Sequence, residues 1–222
     1  MAKEYYKAYD DRYRQVHGEG LKWFGEKPSP IVLEILKKYY KGGMILEIGC
    51  GEGRDAGNLL EAGYDLLATD VSEEVISFCR KQWPEYARSF RVLDCLKDAM
   101  EEPFDFIYAV AVIHMLVEDS DRNGFYRFIR THLKENGIAL ICSMGDGETE
   151  RRTDPEKAFE LQERVHEATG KRVYIAGTTY RSVSFDTFRA ELKRNGLRIL
   201  EDGFTLVIPD YGKMIYAVVC KG

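Results

Sequence analysis

An apolar run that stops at three alternating glycines is the feature that most constrains how this chain folds. Residues 45–48 read as a buried strand, and Gly49, Gly51 and Gly53 follow before a helical pattern resumes. Glycine adopts backbone angles that other residues resist, and a helix start offers unpaired N–H groups. The segment therefore predicts a strand, a tight turn and a helix N-terminus that hold a nucleotide-like ligand against the main chain.

Two other nucleotide-binding patterns use similar glycines. The P-loop pattern requires a Lys-Ser or Lys-Thr pair after its last glycine, and none follows here. The dinucleotide pattern G-x-G-x-x-A is satisfied by residues 51–56, but a match that short is weak support. The chain also lacks a Tyr-x-x-x-Lys pair of the short-chain dehydrogenase type, which counts against a dinucleotide.

An acid at the end of the second predicted strand narrows the choice of ligand. The apolar strand 65–69 ends at Asp70, about 20 residues past the glycines, where folds of this kind place a ribose-binding carboxylate. A carboxylate accepts from both ribose hydroxyls, and each such hydrogen bond contributes roughly 1.5–3 kcal/mol. A helix cap is the alternative role for Asp70, but Ser72 is better placed to be that cap.

The third predicted strand, 90–93, also ends at an acid, Asp94, which is followed by Cys95. An ordinary turn residue after a strand is the alternative for Asp94. Its position in register with the two earlier loops favours a role in binding, because the carboxyl ends of parallel strands meet at one edge of a sheet.

The pattern of apolar runs indicates an α/β fold. Short apolar runs alternate with helical segments from residue 44 to residue 143, as in a parallel sheet covered on both faces. A helix over 184–195 is followed by two apolar stretches around the turn 209–212, which predicts an antiparallel hairpin. The sequence thus predicts a doubly wound, mostly parallel seven-stranded sheet with a C-terminal antiparallel hairpin. The predicted strands are 44–48, 65–69, 90–93, 104–109, 138–143, 197–208 and 213–220, and the predicted helices include 31–40, 54–62 ended by Gly63, and about 120–135 ended by Asn136-Gly137.

The order of residues from Glu47 to Gly53 resembles motif I of the class I S-adenosylmethionine-dependent methyltransferases. The run reads acid, apolar residue, then Gly-Cys-Gly-Glu-Gly. The terminal hairpin is also the feature that separates this family from plain dinucleotide-binding folds. Within the superfamily the chain most resembles small-molecule methyltransferases of the tellurite-resistance and thiopurine type, through Trp23, Pro28-Ser29 and the stretch 47–70.

The resemblance implies S-adenosylmethionine as cofactor and S-adenosylhomocysteine as product. It places the glycine loop beside the methionine part, Asp70 at the ribose and Asp94 with its neighbours at the adenine. The residues assigned to the cofactor in this way are Trp23, Glu47, Gly49, Cys50, Gly51, Gly53, Arg54, Asp70, Val71, Asp94, Cys95, Ala109 and Val110. Core packing is the alternative for Trp23, and simple packing is the expected role for most of Tyr5, Tyr9 and Tyr13.

The segment after the fourth predicted strand bears on the methyl acceptor. Enzymes that methylate amines of nucleic acid bases usually carry Asn/Asp-Pro-Pro-aromatic at this point, whereas this chain has Ala109-Val110-Ala111. The difference favours a small-molecule acceptor, such as a thiol, a selenium or tellurium compound, or an amine. His114 is the candidate catalytic base in an in-line displacement, and packing or orienting is its alternative role.

Composition restricts the other partners. A formal net charge of −5 argues against a polyanion as main partner, so no nucleic acid is expected. No apolar run approaches a membrane span, and the N-terminus has no signal-peptide core, so a cytoplasmic protein is expected, as a monomer or homodimer. The five cysteines read as reduced thiols, and the four histidines share no ligand spacing, so no metal is expected.

Two segments flank this predicted core. Residues 1–41 are predicted to form an N-terminal helical lid, and 42–222 the Rossmann-like methyltransferase domain. The substrate-cap insert is placed at 144–183, with a helix from Asp154 to Gly170. A protein or RNA methyltransferase that uses this insert to hold a macromolecule, and a non-catalytic S-adenosylmethionine-binding protein, are the alternative functions.

Overall fold

One seven-stranded sheet organises the computed structural model of the chain, which describes residues 4–23, 27–166, 168–205 and 213–222. The strands are β1 (Ile45–Ile48), β2 (Leu66–Asp70), β3 (Phe90–Val92), β4 (Phe104–Val110), β5 (Leu133–Met144), β6 (Arg151–Arg152), β7 (Leu161–Val165), β8 (Arg172–Ala176), β9 (Arg181–Ser182), β10 (Leu197–Thr205) and β11 (Met214–Lys221). The sheet order is β3-β2-β1-β4-β5-β11-β10. Strands β1 to β5 pair in parallel, and β11 runs antiparallel to both of its neighbours.

Six α-helices accompany the strands in the described residues. They are α1 (Ala8–Gly18), α2 (Pro30–Tyr39), α3 (Arg54–Glu61), α4 (Glu73–Gln82), α5 (Asp119–His132) and α6 (Phe185–Arg194). Side-chain caps begin two of them: Ser72 Oγ accepts from the backbone N–H of Val75 in α4, and Ser184 Oγ accepts from that of Thr187 in α6. These caps confirm Ser72 as the capping residue and leave Asp70 available for another role.

The core consists of two apolar layers, one on each face of the sheet. Phe106 and Tyr108 of β4 belong to the layer that includes residues of α2, α3 and α4, while Ile107 and Ala109 belong to the layer with α5 and α6. Side chains alternate between faces along a strand, so a strand that is apolar throughout requires cover on both sides. The doubly wound fold predicted from the sequence is confirmed.

The predicted helix between Asp154 and Gly170 is wrong. Among the described residues of this segment a 3-10 turn, Pro155–Lys157, is followed by β7, which pairs with β8 as an antiparallel hairpin. Val173 and Ile175 of β8 are buried against Val16 of α1. The hairpin is stabilised by this contact with a helix more than 150 residues earlier in the chain, which local patterns do not reveal.

The predicted end of α5 at Asn136-Gly137 is also wrong, because the helix ends at His132. Leu133 is buried and already pairs with Phe104 of β4, so the chain enters the sheet four residues before the glycine. The sheet position of Leu133 therefore overrides the local capping signal. The other predicted strands and helices are confirmed within a few residues at their ends.

Several earlier predictions remain without a test. The hairpin of β10 and β11 is confirmed, but its predicted turn at 209–212 lies outside the described residues. The division at residue 41 stays a prediction, and the structure places α2 in one of the two core layers of the sheet. No helix among the described residues is long and apolar enough to cross a membrane.

The central position of Phe106 yields a stability prediction. Its ring is fully buried in β4, so Phe106→Ala should lower the free energy of unfolding by about 3–5 kcal/mol. Val92 of the edge strand β3 is exposed, and Val92→Ala should change that free energy by less than about 0.5 kcal/mol. Urea unfolding of the two variants tests this, and equal losses would contradict the assigned core.

Candidate functional site

The carboxyl ends of β1, β2, β3 and β4 meet at one edge of the sheet and enclose a cavity. Its empty volume, counting the part open to solvent, is about 990 Å³. Residues from the loops after all four strands line it, and α1 with the turn before it covers it. Open α/β folds bind ligands at this edge, so the cavity is the candidate site.

Hydrogen bonds to the end of β2 hold the glycine loop in place. The backbone N–H groups of Gly49 and Cys50 both donate to Thr69 O, at 2.7 and 2.9 Å. Gly49 has φ +73°, and a Cβ there would lie 2.4 Å from a methyl group of Val112. Glycine is therefore required both for the backbone angle and for the close approach of the loop after β4.

Asp70 joins the glycine loop to the start of α4. Its Oδ2 accepts from the N–H of Gly51 and its Oδ1 from that of Ser72, each at 2.9 Å. Each carboxylate oxygen has a further lone pair for a ligand in the cavity. Burial raises the pKa of Asp70 to about 6, although the two backbone N–H groups oppose that shift.

Glu47 at the end of β1 is a buried acid that faces the same cavity. Its side chain is 3% exposed, and Oε2 has no hydrogen-bond partner among the described residues. Burial, and then the neighbouring Asp55, raise the pKa of Glu47 well above its usual range. The Tyr108 hydroxyl and the charge of Arg54 oppose this shift only in part. An unsatisfied buried oxygen is costly, so Oε2 is placed to receive a donor or a cation from a ligand.

Asp94 follows β3 and occupies the far end of the cavity. Its Oδ1 accepts from the N–H of Leu96 at 3.1 Å, and its Oδ2 accepts from the hydroxyl of Tyr6 at 3.0 Å. Leu93, Cys95 and Leu96 add apolar surface beside it. This end combines the turn after β3 with apolar side chains, which suits a planar ring.

Tyrosines of the N-terminal segment close the cavity from the opposite side. Tyr6, Tyr9 and Tyr13 line it, and a Cβ on Gly51 would lie 3.0 Å from the hydroxyl of Tyr13. The hydroxyl of Tyr5 donates to Asp121 and accepts from the backbone of the segment before α5. Packing was the expected role for most of Tyr5, Tyr9 and Tyr13. Tyr13 is buried in a core layer and Tyr9 packs against that layer, and both also line the cavity with Tyr6.

His17 fastens α1 to the glycine loop and to α4. Its Nε2 lies 3.0 Å from Glu52 Oε1, and its Nδ1 lies 2.8 Å from Glu74 Oε1. Burial lowers the pKa of His17, but hydrogen bonds to the two carboxylates outweigh burial and raise it overall. Both ring nitrogens donate only in the protonated form, so this arrangement is that of an imidazolium between two acids.

Ten of the residues assigned from the sequence line the cavity. They are Glu47, Gly49, Cys50, Gly51, Arg54, Asp70, Val71, Asp94, Cys95 and Val110. The structure thus brings these residues together, and their contact with a cofactor stays a prediction.

Four assigned residues lie away from the cavity lining. Trp23 packs against Arg12 and His166, although its backbone N–H donates to Glu52. Gly53 precedes α3, and Ala109 points into the core layer on the other face of the sheet. Gly53 and Ala109 therefore belong to the backbone of the glycine loop and of β4, and their side-chain positions do not face the cavity.

His114, the fourth of these residues, sits in the 3-10 turn Ile113–Met115 and is 4% exposed. Burial, and then the charges of Arg122 and Arg12, lower its pKa to about 3. The ring is therefore neutral at pH 7 and a weak proton acceptor. Its role as a general base stays a prediction, to which this position lends no support.

Sequence reasoning missed part of the cavity wall. Tyr6 directly follows Tyr5 in the sequence. It precedes Tyr9 by three residues and Tyr13 by seven, a spacing that places these three side chains on one helical face. Met115 and Leu116 also line the cavity, from the loop that carries His114. The helical spacing was available as a signal for the tyrosines, whereas no local pattern marks the two apolar residues.

Comparison with known proteins connects this geometry to one kind of domain. Residues 45–137 match a family model described as a methyltransferase domain. The tRNA (carboxymethyluridine(34)-5-O)-methyltransferase of Saccharomyces cerevisiae is 31% identical over 116 residues, which are 52% of this chain and 40% of that protein. The chain therefore spans less than half the length of this curated relative.

Solved structures resemble the whole chain. The 1,6-didemethyltoxoflavin-N1-methyltransferase of Burkholderia thailandensis, with its substrate and S-adenosylhomocysteine bound, has a TM-score of 0.73 at 17% identity, covering 100% of this chain and 91% of its own. The glycopeptide N-methyltransferase MtfA with S-adenosyl-L-methionine has a TM-score of 0.65 at 20% identity, covering 91% and 97%. At these identities the likeness establishes the fold.

The ion pairs of His17 lead to a pH prediction for α1. The raised pKa means that the stabilising charge is present at low pH and is lost as the pH rises through that pKa. Hydrogen-exchange protection of α1 should therefore fall as the pH is raised above the ordinary pKa of histidine, about 6.5, after correction for intrinsic exchange. His17→Gln should remove this pH dependence, and an unchanged pH profile in that variant would contradict the role of His17.

Proposed function

Because the chain belongs to the class I S-adenosylmethionine-dependent methyltransferase superfamily, we propose that it transfers a methyl group from S-adenosylmethionine to a small-molecule nucleophile. Three acids at the ends of successive strands, Glu47, Asp70 and Asp94, carry the proposal, since each presents oxygen atoms to one cavity. The family match over residues 45–137 supports the same reading. The family match bears on methyl transfer, and the small-molecule nature of the acceptor rests on separate observations.

The residues present fit this cofactor. The buried Oε2 of Glu47, which has no partner among the described residues, suits the ammonium of the methionine part. Asp70 has a lone pair on each oxygen for the ribose hydroxyls. The turn at Asp94 with Cys95 and Leu96 suits the adenine. Acids outnumber cations in the lining, which favours a positively charged ligand.

The chain's own contribution to the reaction is positioning and exclusion of water. When bound, the cofactor supplies an activated methyl group on a sulfonium. The wall nearest the end of β4 consists of Val110, Ala111 and Val112, with Met115 and Leu116 beyond them. These side chains carry no charge, and an apolar wall favours a step in which positive charge is lost. Positioning alone can lower a barrier by about 7–11 kcal/mol.

Ala111 shows that this wall is held in a set geometry. It is a non-glycine residue at φ +58°, and its N–H donates to Cys142 O of β5 at 3.1 Å. Residues held in the left-handed region cost roughly 1–3 kcal/mol and cluster at functional sites. The strained turn directs the chain from β4 across the cavity, where the acceptor would meet the methyl group.

Paired charges on the insert support a small acceptor over a polyanion. Arg152 pairs with Glu118, Lys171 with Glu19 and Arg172 with Glu163. Phosphate recognition requires cations that are not already neutralised by the protein. These ion pairs lower the positive charge that three of the insert's cations present, which disfavours a polyanion as the acceptor.

An RNA methyltransferase is the second candidate. The similarity to a tRNA methyltransferase over 116 residues favours it, although that relative extends well beyond the matched part. In that case RNA should bind with an affinity that falls steeply with salt. A non-catalytic S-adenosylmethionine-binding protein is the third candidate and would bind the cofactor without turnover.

Other properties of the chain stay predictions. Metal-independent transfer, a cytoplasmic location and a monomeric or homodimeric state were expected from the sequence. Among the described residues, no group of three or more His, Cys, Asp or Glu side chains is placed to hold a metal ion. Turnover after treatment with a chelator tests the first of these directly.

Binding of S-adenosylhomocysteine tests the cofactor assignment. Asp70→Asn keeps the size of the side chain but removes its charge, and should weaken binding by about tenfold or more, because hydrogen bonds to a charged group contribute roughly 1.5–3 kcal/mol each. Asp65→Asn is the matched control, since Asp65 is exposed at the other end of the same strand. Calorimetry measures both, and equal affinities would contradict the role of Asp70.

The same carboxylate predicts a pH dependence. Asp70 is protonated below its raised pKa of about 6, and a neutral acid accepts hydroxyl donors less well. Affinity for S-adenosylhomocysteine should therefore rise from about pH 5 to about pH 7.5. Asp70→Asn should flatten the part of this profile that Asp70 causes. A wild-type affinity that falls as the pH rises over this range would contradict the predicted role of the Asp70 carboxylate.

Release of S-adenosylhomocysteine identifies the class of acceptor. Thiols, amines, hydroxy compounds, carboxylates and tRNA that carries carboxymethyluridine are each incubated with protein and cofactor. Turnover with a small molecule supports the proposal, and turnover only with tRNA would overturn its small-molecule part. Tight cofactor binding with no turnover in any arm would favour the non-catalytic candidate.

A further inference from the structure

A fully buried ion pair joins α5 to α6. Arg122 is 1% exposed and donates from Nε and Nη2 to the two carboxylate oxygens of Glu191, at 2.7 and 2.6 Å. The hydroxyl of Tyr126 donates to the same carboxylate at 2.7 Å. All three side chains are buried between the helices and the sheet. The pair is therefore removed from water. Two parallel hydrogen bonds join the planar guanidinium of Arg122 to the carboxylate of Glu191.

The remaining donor group of Arg122 binds the loop that lines the cavity. Its Nη1 donates to Ile113 O at 2.9 Å and to Leu116 O at 3.3 Å. These carbonyls flank the 3-10 turn, and Met115 and Leu116 belong to the cavity wall. One guanidinium group thus binds a carbonyl at each end of the turn.

The opposite side of this loop is held by the insert. Thr179 Oγ1, from the segment after β8, donates to Met115 O at 2.6 Å. Arg181 Nη1 donates to Val117 O at 2.9 Å. These two hydrogen bonds from the insert therefore act on the same short segment that Arg122 binds.

A buried ion pair is a poor device for stability alone. Desolvation of two charges often cancels their attraction, and apolar replacements of similar size are frequently neutral or stabilising. An apolar pair between α5 and α6 would satisfy the packing but would remove the guanidinium donor from both carbonyls, and Ile113 O would keep the N–H of Leu116. The specific contribution of Arg122 is consequently the conformation of the loop.

We propose that Arg122, oriented by Glu191, is a positioning residue that sets the loop 113–116 as the acceptor-side wall of the methyl-transfer cavity. The proposal rests on the proposed function for the identity of the reaction, but the conformation of the loop is testable without it. Glu191 holds the guanidinium plane, and Tyr126 holds Glu191. Neither Arg122 nor Glu191 lines the cavity.

The test separates positioning from stability. The double variant Arg122→Met with Glu191→Leu removes both charges together, so that neither is left buried and unpaired. We expect a folded protein with a Tm near that of the wild type and faster hydrogen exchange at residues 113–117. Affinity for S-adenosylhomocysteine should change by less than about threefold, because the acids proposed to bind the cofactor lie on other loops. Once an acceptor is known, kcat should fall more than KM rises.

Two further variants complete the experiment. Arg122→Lys keeps the charge but lacks the planar fork, and should keep exchange at residues 113–117 slow only in part. Arg189→Gln with Asp202→Asn is the matched control, because that pair also makes two hydrogen bonds yet links α6 to β10 far from the loop. It should leave loop exchange and affinity unchanged.

The outcomes distinguish this proposal from the proposed function. If the double variant stays folded while exchange at 113–117 remains as slow as in the wild type, the positioning role is overturned, whatever the protein binds. Failure of the wild type to bind S-adenosylhomocysteine would instead overturn the proposed function. Loss of folding in the double variant would show a purely structural pair, unless Arg122→Lys folds and shows the faster loop exchange.

Discussion

The attachment of the glycine loop to the end of β2 is the interaction on which the site depends. Thr69 O accepts two N–H groups of the loop, and Asp70 accepts a third. These bonds place the first and second strands in fixed register at their carboxyl ends and leave Asp70 facing the cavity. The third and fourth strands add Asp94 and the wall at Ala111 to the same edge. A change in the loop would therefore displace every part of the site together.

The cover of the cavity is built from a different kind of contact. Tyrosines of the N-terminal segment pack over the loops, and their hydroxyl groups use carboxylates as partners, as Tyr6 does with Asp94. His17 adds a charged link between α1 and the glycine loop. The hairpin of β7 and β8 supports the outer side of α1 through Val173 and Ile175. The two segments outside the core thus form one connected cover, which encloses a small ligand better than an extended one.

Electrostatics divide the cavity into two parts. The part formed by the ends of β1 and β2 contains buried acids. Burial disfavours the charged forms of Glu47 and Asp70 and raises their pKa values. The wall after β4 is apolar, and the buried charge of Arg122 lies behind it, bound to Glu191 and to backbone carbonyls. The buried charges therefore lie in the acidic part of the cavity and behind the loop that Arg122 holds. The wall at which the methyl group would be transferred is apolar.

The sequence alone determined the sheet, its terminal hairpin and most of the cofactor edge, because local signals specify them: apolar runs, glycines and acids at strand ends. It misplaced the end of α5 and the helix expected after Asp154, since Leu133 and Val173 follow partners distant in the chain. Only the tertiary structure decided the cover of the cavity and the surroundings of His114. Those depend on which distant segments pack together, and burial, which sets the pKa of a histidine, is a property of that packing.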